Sequence, residues 1–551
     1  MLPENCFLFS SEDLAQNPRS QLRGYATCDG AIVFGTSGLD AFVASGGAPN
    51  DLRCGRFSAT VVESDSIVFR TDLTGQEIHY LFREGDTWAV SNSFLLLATW
   101  AAQRATLTMH APAISGFFLK GGTHIGEQLL SHHTLISSIK IVPAATEIVV
   151  DRKSGQVGLR RAASLKEDIS DYASALLDFL ERGAGLLGAL AEAGADLRIN
   201  LSGGYDSRLV LAMALAGGAQ EAIHLTSDPG RQNDFRSASG LAERLDLPLN
   251  EASPGVPSVL SDGEAYRIWA LSCVGTYLPI YPVSHMRLHH PTALRLTGDQ
   301  PTGWDHFSGT GRFKGTPSRI ADHVRSDLKG RAHADAVARD FLSVFQEIDF
   351  DPEHPRAMMA HYSAVRARHH CGRQWYRSLG SERLVTALMD PAMLALDLFA
   401  GEQDWPVTQL LADALSAFGG WAIEHPFETP DRTFSPEMLA RSPFGSGADI
   451  RPRETKVFGL VEHSAPASHL GLLDLPVHLR SRPEAFRDHL VHSFWTAERA
   501  RACGLFEERD LVAAKAEINA AGSLSHGFRR TAHVVMTDMV LDVVSGSRTA
   551  P

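Results

Sequence analysis

LRINLSGGYDSRLVLAMALAGG, residues 197–218, passes from an alternating apolar run through two adjacent glycines into a helical pattern. A strand ends at Leu201, Ser202, Gly203 and Gly204 turn the chain, and a helix starts near Asp206. Paired glycines let the backbone fold tightly and approach a ligand, and the free N–H groups of such a turn and of the helix start face outward as an anion site. Ser202 and Ser207 add hydroxyl donors, and Asp206 is placed to hold a magnesium ion against the same anion. A Walker A loop would need Gly-Lys followed by Ser or Thr, and GRFKG at 311–315 has the wrong order.

Outward from this stretch the same alternation recurs. Leu197–Leu201, Ala222–Thr226 and Ala293–Thr297 are short apolar runs separated by helical stretches, the pattern of a parallel α/β sheet. Upstream, apolar residues from 168 to 196 keep helical spacing, and from residue 330 onward the pattern is mostly helical. Residues 28–160 differ: AIVFGT, FSATVVES, SIVFRTDL, IHYLFRE, TWAVSNS and SSIKIVPAATEIVVD read as hairpins of stacked antiparallel sheets. The change near 160–170 divides the chain into 1–165 and 166–551, with no internal repeat or low-complexity linker.

Composition narrows the function. The chain has 551 residues, and 51 basic against 64 acidic side chains give a net charge of −13, which argues against a nucleic-acid binder. The six cysteines stand far apart, without a CxxC pair, as free thiols do in a reducing compartment. The first residues, MLPENCFLFSSEDLAQNP, carry no signal-peptide pattern, and the apolar stretches at 174–195 and 531–545 are interrupted by acids. A cytoplasmic protein without membrane contact is expected. The pairs His132/His133, His289/His290 and His369/His370 lack a zinc-motif context and read as ordinary histidines.

The SGGYDS segment resembles the pyrophosphate-binding loop of the asparagine-synthetase family, SGGxDS. Three further segments extend the resemblance in order. IHLTSDPGRQNDFRSASGLAERL (223–245) is similar to the family's second strand, loop and helix, with Thr226 or Ser227 at the adenine and a D-x-x-x-A pattern from Asp234 to Ala238. LSCVGTY (271–277) places Gly275 and Thr276 near the ribose, and LTGDQPTGW (296–304), with Gly298 and Asp299, resembles the S-G-E-G-x-D loop. Arg56–Leu97 is similar to glutamine amidotransferase domains of the Ntn type. The resemblance therefore implies an α/β protein: an Ntn-like αββα sandwich over 1–165, then an ATP-pyrophosphatase-type parallel-sheet synthetase domain over 166–551. ATP and Mg2+ are the implied cofactors, with Leu201 through Gly204, Asp206 and Ser207 at the phosphates.

The chain departs from the family at two places. Glutamine-hydrolysing members expose a cysteine at the mature N-terminus, its own amine acting as base. Here residue 2 is Leu, which blocks methionine removal, so Cys6 stays internal and the N-terminal domain is expected to lack glutaminase activity. The family's second magnesium-binding Asp is also missing from TGDQPT, which leaves Asp299 at the Glu position and Asp305 as a substitute reached by a loop shift. Asp299 is expected to matter more, because it follows directly on a strand end, where its carboxylate reaches the magnesium opposite Asp206 or orients the incoming amine. Glu382, a candidate catalytic acid, lies in SLGSERLVTALMDP, which resembles the S-L-E-x-R-x-P-F-L-D segment out of step. A carboxylate attacking a phosphate needs a cation, and RPRETKVF (451–458) resembles R-x-K-E-x-F, offering Arg453 and Lys456.

The expected activity is AMP-forming amide synthesis: a small-molecule or peptide carboxylate is adenylated, and an amine displaces AMP without glutamine hydrolysis. Relatives without the cysteine include β-lactam synthetases and lasso-peptide cyclases, a setting of specialised-metabolite or modified-peptide biosynthesis. A homodimer or a biosynthetic partner protein stays open. A non-catalytic nucleotide-binding scaffold is the alternative of another class.

Overall fold

The computed structural model describes residues 6–16, 18–119, 125–164, 168–251, 256–259, 262–278, 286–303, 315–373, 383–445, 447–459, 485–520 and 528–546. Glu382 and Asp305 lie outside the described residues. The fold is mixed α/β; the described residues form one parallel sheet, one mixed sheet and two antiparallel sheets, the smaller of them the pair Val256–Val259 and Met286–His289.

In the N-terminal half, period-two alternation sorts side chains between two faces. Strands Leu8–Ser10, Tyr80–Glu84, Thr87–Ser91 and Ile139–Ile141 form a four-stranded antiparallel sheet. A seven-stranded sheet runs Val157–Arg161, Thr146–Asp151, Ser66–Thr71, Cys54–Val62, Gln21–Cys28, Ala31–Phe34, Lys456–Phe458. Ile67, Phe69 and Val150 of the larger sheet share one core with Trp88 and Val90 of the smaller. The intervening Val68 faces away, toward Phe42 of the helix Gly35–Ala44, and Ala89 faces the helices Phe94–Ala102 and Arg529–Val544.

The second half is built on a four-stranded parallel sheet in the order Ile223–Thr226, Asp196–Asn200, Ala293–Leu296, Arg383–Val385. Leu197, Ile199, Leu225, Leu294 and Leu296 stand in register on one face and are buried in one core with the surrounding helices, while Arg198, His224 and Arg295 alternate onto the other face. The expected helix start falls at Tyr205, and the helix runs Tyr205–Ala216.

The two halves interleave. The change of sequence pattern falls between strand Val157–Arg161 and helix Tyr172–Glu192. Beyond it the chain returns: Lys456–Phe458 pairs in parallel with Ala31–Phe34, and Leu490, Phe494, Val535 and Val540 share a core with Phe82 and Leu97. Three arginines, Arg366, Arg368 and Arg373, are buried in the same junction. Arg368 donates to the carbonyls of Gly75 and Val142 at 2.7 and 2.9 Å, Arg373 donates to Tyr80 Oη at 3.1 Å, and Arg366 donates to Gln128. These guanidinium groups fasten the helical half to the sheets. Among the described residues no helix is long and apolar enough to cross a membrane.

Candidate functional site

The site lies at the carboxyl ends of the parallel strands, where open α/β sheets bind ligands. The loop after Asn200 is closed by its own polar groups. Ser202 N–H donates to Ser207 Oγ (3.1 Å), Gly204 N–H to Ser202 Oγ (3.2 Å) and Gly203 N–H to Asp234 Oδ1 (3.0 Å). Three consecutive N–H groups therefore end on oxygens, one of them anionic. An incoming oxyanion would take those oxygens' places on a cradle already formed. Leu201 N–H donates to the Thr226 carbonyl (2.8 Å), which fixes the loop against the neighbouring strand end.

Close approach explains the glycines. A Cβ on Gly298 would lie 2.6 Å from the Asp206 Cβ, and one on Gly203 would lie 2.5 Å from the Glu428 Cβ. The strand end after Ala293–Leu296 can thus lie directly on the start of helix Tyr205–Ala216. There Gln300 Nε2 donates to Asp206 Oδ1 at 2.6 Å, and Thr302 Oγ1 donates to Gln300 Oε1 at 2.9 Å. Asp299, next to Gln300, accepts from Thr297 Oγ1 at 3.0 Å and lies near the buried Tyr362 and Cys371. Burial first, and the negative Asp299 among the lesser causes, push the Tyr362 hydroxyl and the Cys371 thiol well above their ordinary values.

At the second strand end, Ser227 N–H donates to Asn250 Oδ1 (2.8 Å) and the Ser227 carbonyl accepts from Asn250 Nδ2 (3.0 Å). The Ser227 hydroxyl is buried and has no hydrogen-bond partner among the described residues. Thr226 is exposed at the same strand end. Gly275 and Thr276 belong to the junction of the two halves. A Cβ on Gly275 would meet the Phe94 ring at 2.3 Å, and the Thr276 carbonyl accepts from Leu129 N–H at 3.1 Å.

The structure brings a further segment, 425–434, onto the loop. Glu428 N–H donates to the Gly203 carbonyl at 3.1 Å, Tyr205 Oη donates to the Arg432 carbonyl, and Arg432 Nε pairs with Glu428 Oε1 at 2.8 Å. A Cβ on Gly204 would stand 3.8 Å from Arg432 Nη1 and 3.9 Å from Glu428 Oε2. Arg208, fully buried, anchors the segment by donating to the carbonyls of Ala422, His425 and Pro426 at 3.0, 2.7 and 3.0 Å, with its guanidinium 3.8 Å from the Phe427 ring centroid. Tyr205 stacks on Phe434 at 4.7 Å, and burial first pushes its hydroxyl up to about 12.

Arg432 is thus a cation beside the 202–204 loop that the sequence did not reveal, since the clue was only an aromatic-flanked FETPDRTF. Arg453, expected in that role, pairs with Asp29 at 3.2 Å and with Asp178. Lys456 is exposed on the strand added to the seven-stranded sheet. None of the contacts described for these two reaches residues 201–207. Cys6 is buried, and burial foremost, with Glu77 adding, pushes its thiol up to about 12.

No family model matches the chain, and no curated protein matches it. Among solved structures it is similar to the glutamine phosphoribosylpyrophosphate amidotransferase of B. subtilis complexed with ADP and GMP. The match covers 54% of this chain and 56% of that one, at 11% identity and a TM-score of 0.11. That likeness is too slight to carry an argument about fold or chemistry.

Proposed function

We propose that the protein is an ATP-dependent, AMP-forming carbon–nitrogen ligase, similar to the asparagine-synthetase family, with an Ntn-like N-terminal domain that does not hydrolyse glutamine. The observation that carries the reading is the meeting of an oxygen-capped N–H cradle (202–204), a carboxylate at the helix start (Asp206) and a guanidinium (Arg432) at one set of parallel strand ends. A triphosphate fits such donors, and the Ser227 hydroxyl one strand over, buried without a partner among the described residues, offers a polar contact to its base.

In this reading the 202–204 N–H groups and Ser207 hold the departing pyrophosphate. Arg432, released from Glu428, neutralises charge as a carboxylate oxygen bonds to the α-phosphorus and the bond to pyrophosphate breaks. Magnesium would be held by Asp206 and would supply charge neutralisation of the phosphates. Gln300 orients that carboxylate, and Asp299 at the adjoining position accepts or orients the proton of the amine that then displaces AMP. The buried, protonated Cys6 supports ammonia or a substrate amine, rather than glutamine, as the nitrogen source.

The test is release of pyrophosphate and AMP from MgATP with amino-acid and peptide carboxylates and amines. Turnover with at least one pair, lost by about 2–3 orders of magnitude in a folded Asp206→Ala protein, is expected. Turnover indifferent to Asp206, or hydrolysis to ADP, would refute the reading.

A further inference from the structure

Away from the nucleotide loop, helix Ala334–Glu347 lies against the segment that carries His110 and His133, and the contact gathers His110, His133 and Asp340. One ligand atom from each lies within 4.8 Å of the other two. His110 Nε2 and Asp340 Oδ2 are 2.7 Å apart, and the two imidazole rings stack with centroids at 4.7 Å. The two histidines sit on backbone whose hydrogen bonds hold them side by side. His110 N–H donates to the Leu135 carbonyl (2.8 Å), Ser137 N–H to that of Thr108 (2.9 Å) and Ile141 N–H to that of His132 (2.9 Å). On the helix, Val337, Phe341 and Val344 are buried around Asp340. The neighbouring His132 is engaged by Glu347 and does not join the group.

We propose that His110, His133 and Asp340 form a site for one divalent transition-metal ion of the zinc class. Two imidazoles and one carboxylate suit zinc or cobalt, whereas magnesium and calcium want oxygen throughout. Tetrahedral coordination with bonds of about 2.0–2.1 Å sets ligand atoms about 3.3 Å apart. The 2.7 Å pair has only to open slightly and the third ligand to close from at most 4.8 Å. His110 and Asp340 are 18% and 19% exposed at the side chain, which shields the ligands yet leaves a water position open. Lys140 Nζ lies 2.8 Å from His133 Nδ1. An ammonium donating to that nitrogen cannot coexist with a metal on the same neutral ring, so lysine and metal compete for His133. Metal binding sends the Lys140 side chain out to solvent, and the ion then ties the helix to the His110–His133 segment.

The experiment is a Co2+ titration of the full chain after EDTA treatment, followed by displacement with Zn2+. One Co2+ per chain, with the visible absorption of four-coordinate cobalt and loss of that absorption on adding one Zn2+, is expected. His133→Ala and Asp340→Asn should each weaken Co2+ binding about tenfold or more, and Lys140→Met should tighten it. Circular dichroism of the metal-free variants separates ligand loss from unfolding, and Lys140→Met, at an exposed position, decides the matter if either ligand variant fails to fold. Absence of Co2+ binding to wild type at submillimolar concentration would overturn the site, and so would binding that none of the foldable substitutions alters.

Discussion

At Gly203 the requirement for glycine comes from what lies above it rather than from the turn alone. Glu428 occupies the space where a Gly203 side chain would go, and Asp234 holds the Gly203 N–H. Gly203→Ala should therefore displace the 425–434 segment and weaken nucleotide binding about tenfold or more, a loss of about 1.4 kcal/mol, checked by titration with a non-cleavable ATP analogue. A second residue-level prediction concerns acid. His533 is packed among Phe117, Phe118 and Phe506 at ring distances of 5.2, 4.5 and 4.8 Å, and burial holds its pKa down at about 3 against an ordinary 6.5. Below 6.5 the unfolded chain binds a proton that the folded chain refuses, so His533 costs stability as pH falls from 6.5 toward 3. Denaturant titrations of wild type and His533→Phe should diverge in the variant's favour by about 1.4 kcal/mol per pH unit over that window. Parallel curves would show that the imidazole is hydrated in the folded state.

Among elements, the strand–turn–helix at 196–216 was legible because its information is local: alternation, two glycines and a helical run. The 425–434 segment was not, because what holds it is remote in sequence. Arg208, Tyr205 and Ser237 bind it across about two hundred residues, and no periodicity within FETPDRTF announces that contact. Asp234 had a signal, the D-x-x-x-A pattern whose Ala238 is fully buried, but not its partner at Gly203. Strand Gln21–Cys28 shows no readable period because Arg23 and Gly24 break its apolar alternation, and Lys456–Phe458 none because three residues carry no period. The clamp gives an element-level prediction. Arg208→Met leaves the Ala422 and His425 carbonyls without their guanidinium donor, Pro426 keeping the Ser237 hydroxyl, and should lower stability by about 2 kcal/mol, with nucleotide affinity falling alongside. An unchanged denaturation midpoint would show that the segment is held by other contacts.

For the whole molecule, the sequence pattern divides the chain near 160–170, while the structure threads the later residues back into the earlier sheets. A chain ending at Gly459 would expose Phe82, Leu97, Ile268 and Trp269 where Leu490, Phe494, Val535 and Val540 now cover them. Such a truncation should fail to give a cooperatively folding monomer. Cooperative unfolding of the shortened chain, followed by calorimetry, would show that residues 485–546 are an independent appendage.

The claim on which the functional account rests is that the cradle at 202–207, with Asp206 and Arg432, receives a magnesium-bound triphosphate. Calorimetric titration with Mg–α,β-methylene-ATP tests it without knowledge of the carboxylate or the amine. The account predicts saturable one-to-one binding that folded Asp206→Ala and Arg432→Met proteins each weaken about tenfold or more, about 1.4 kcal/mol apiece. Wild type that does not bind the analogue, or binding untouched by either substitution, would contradict it.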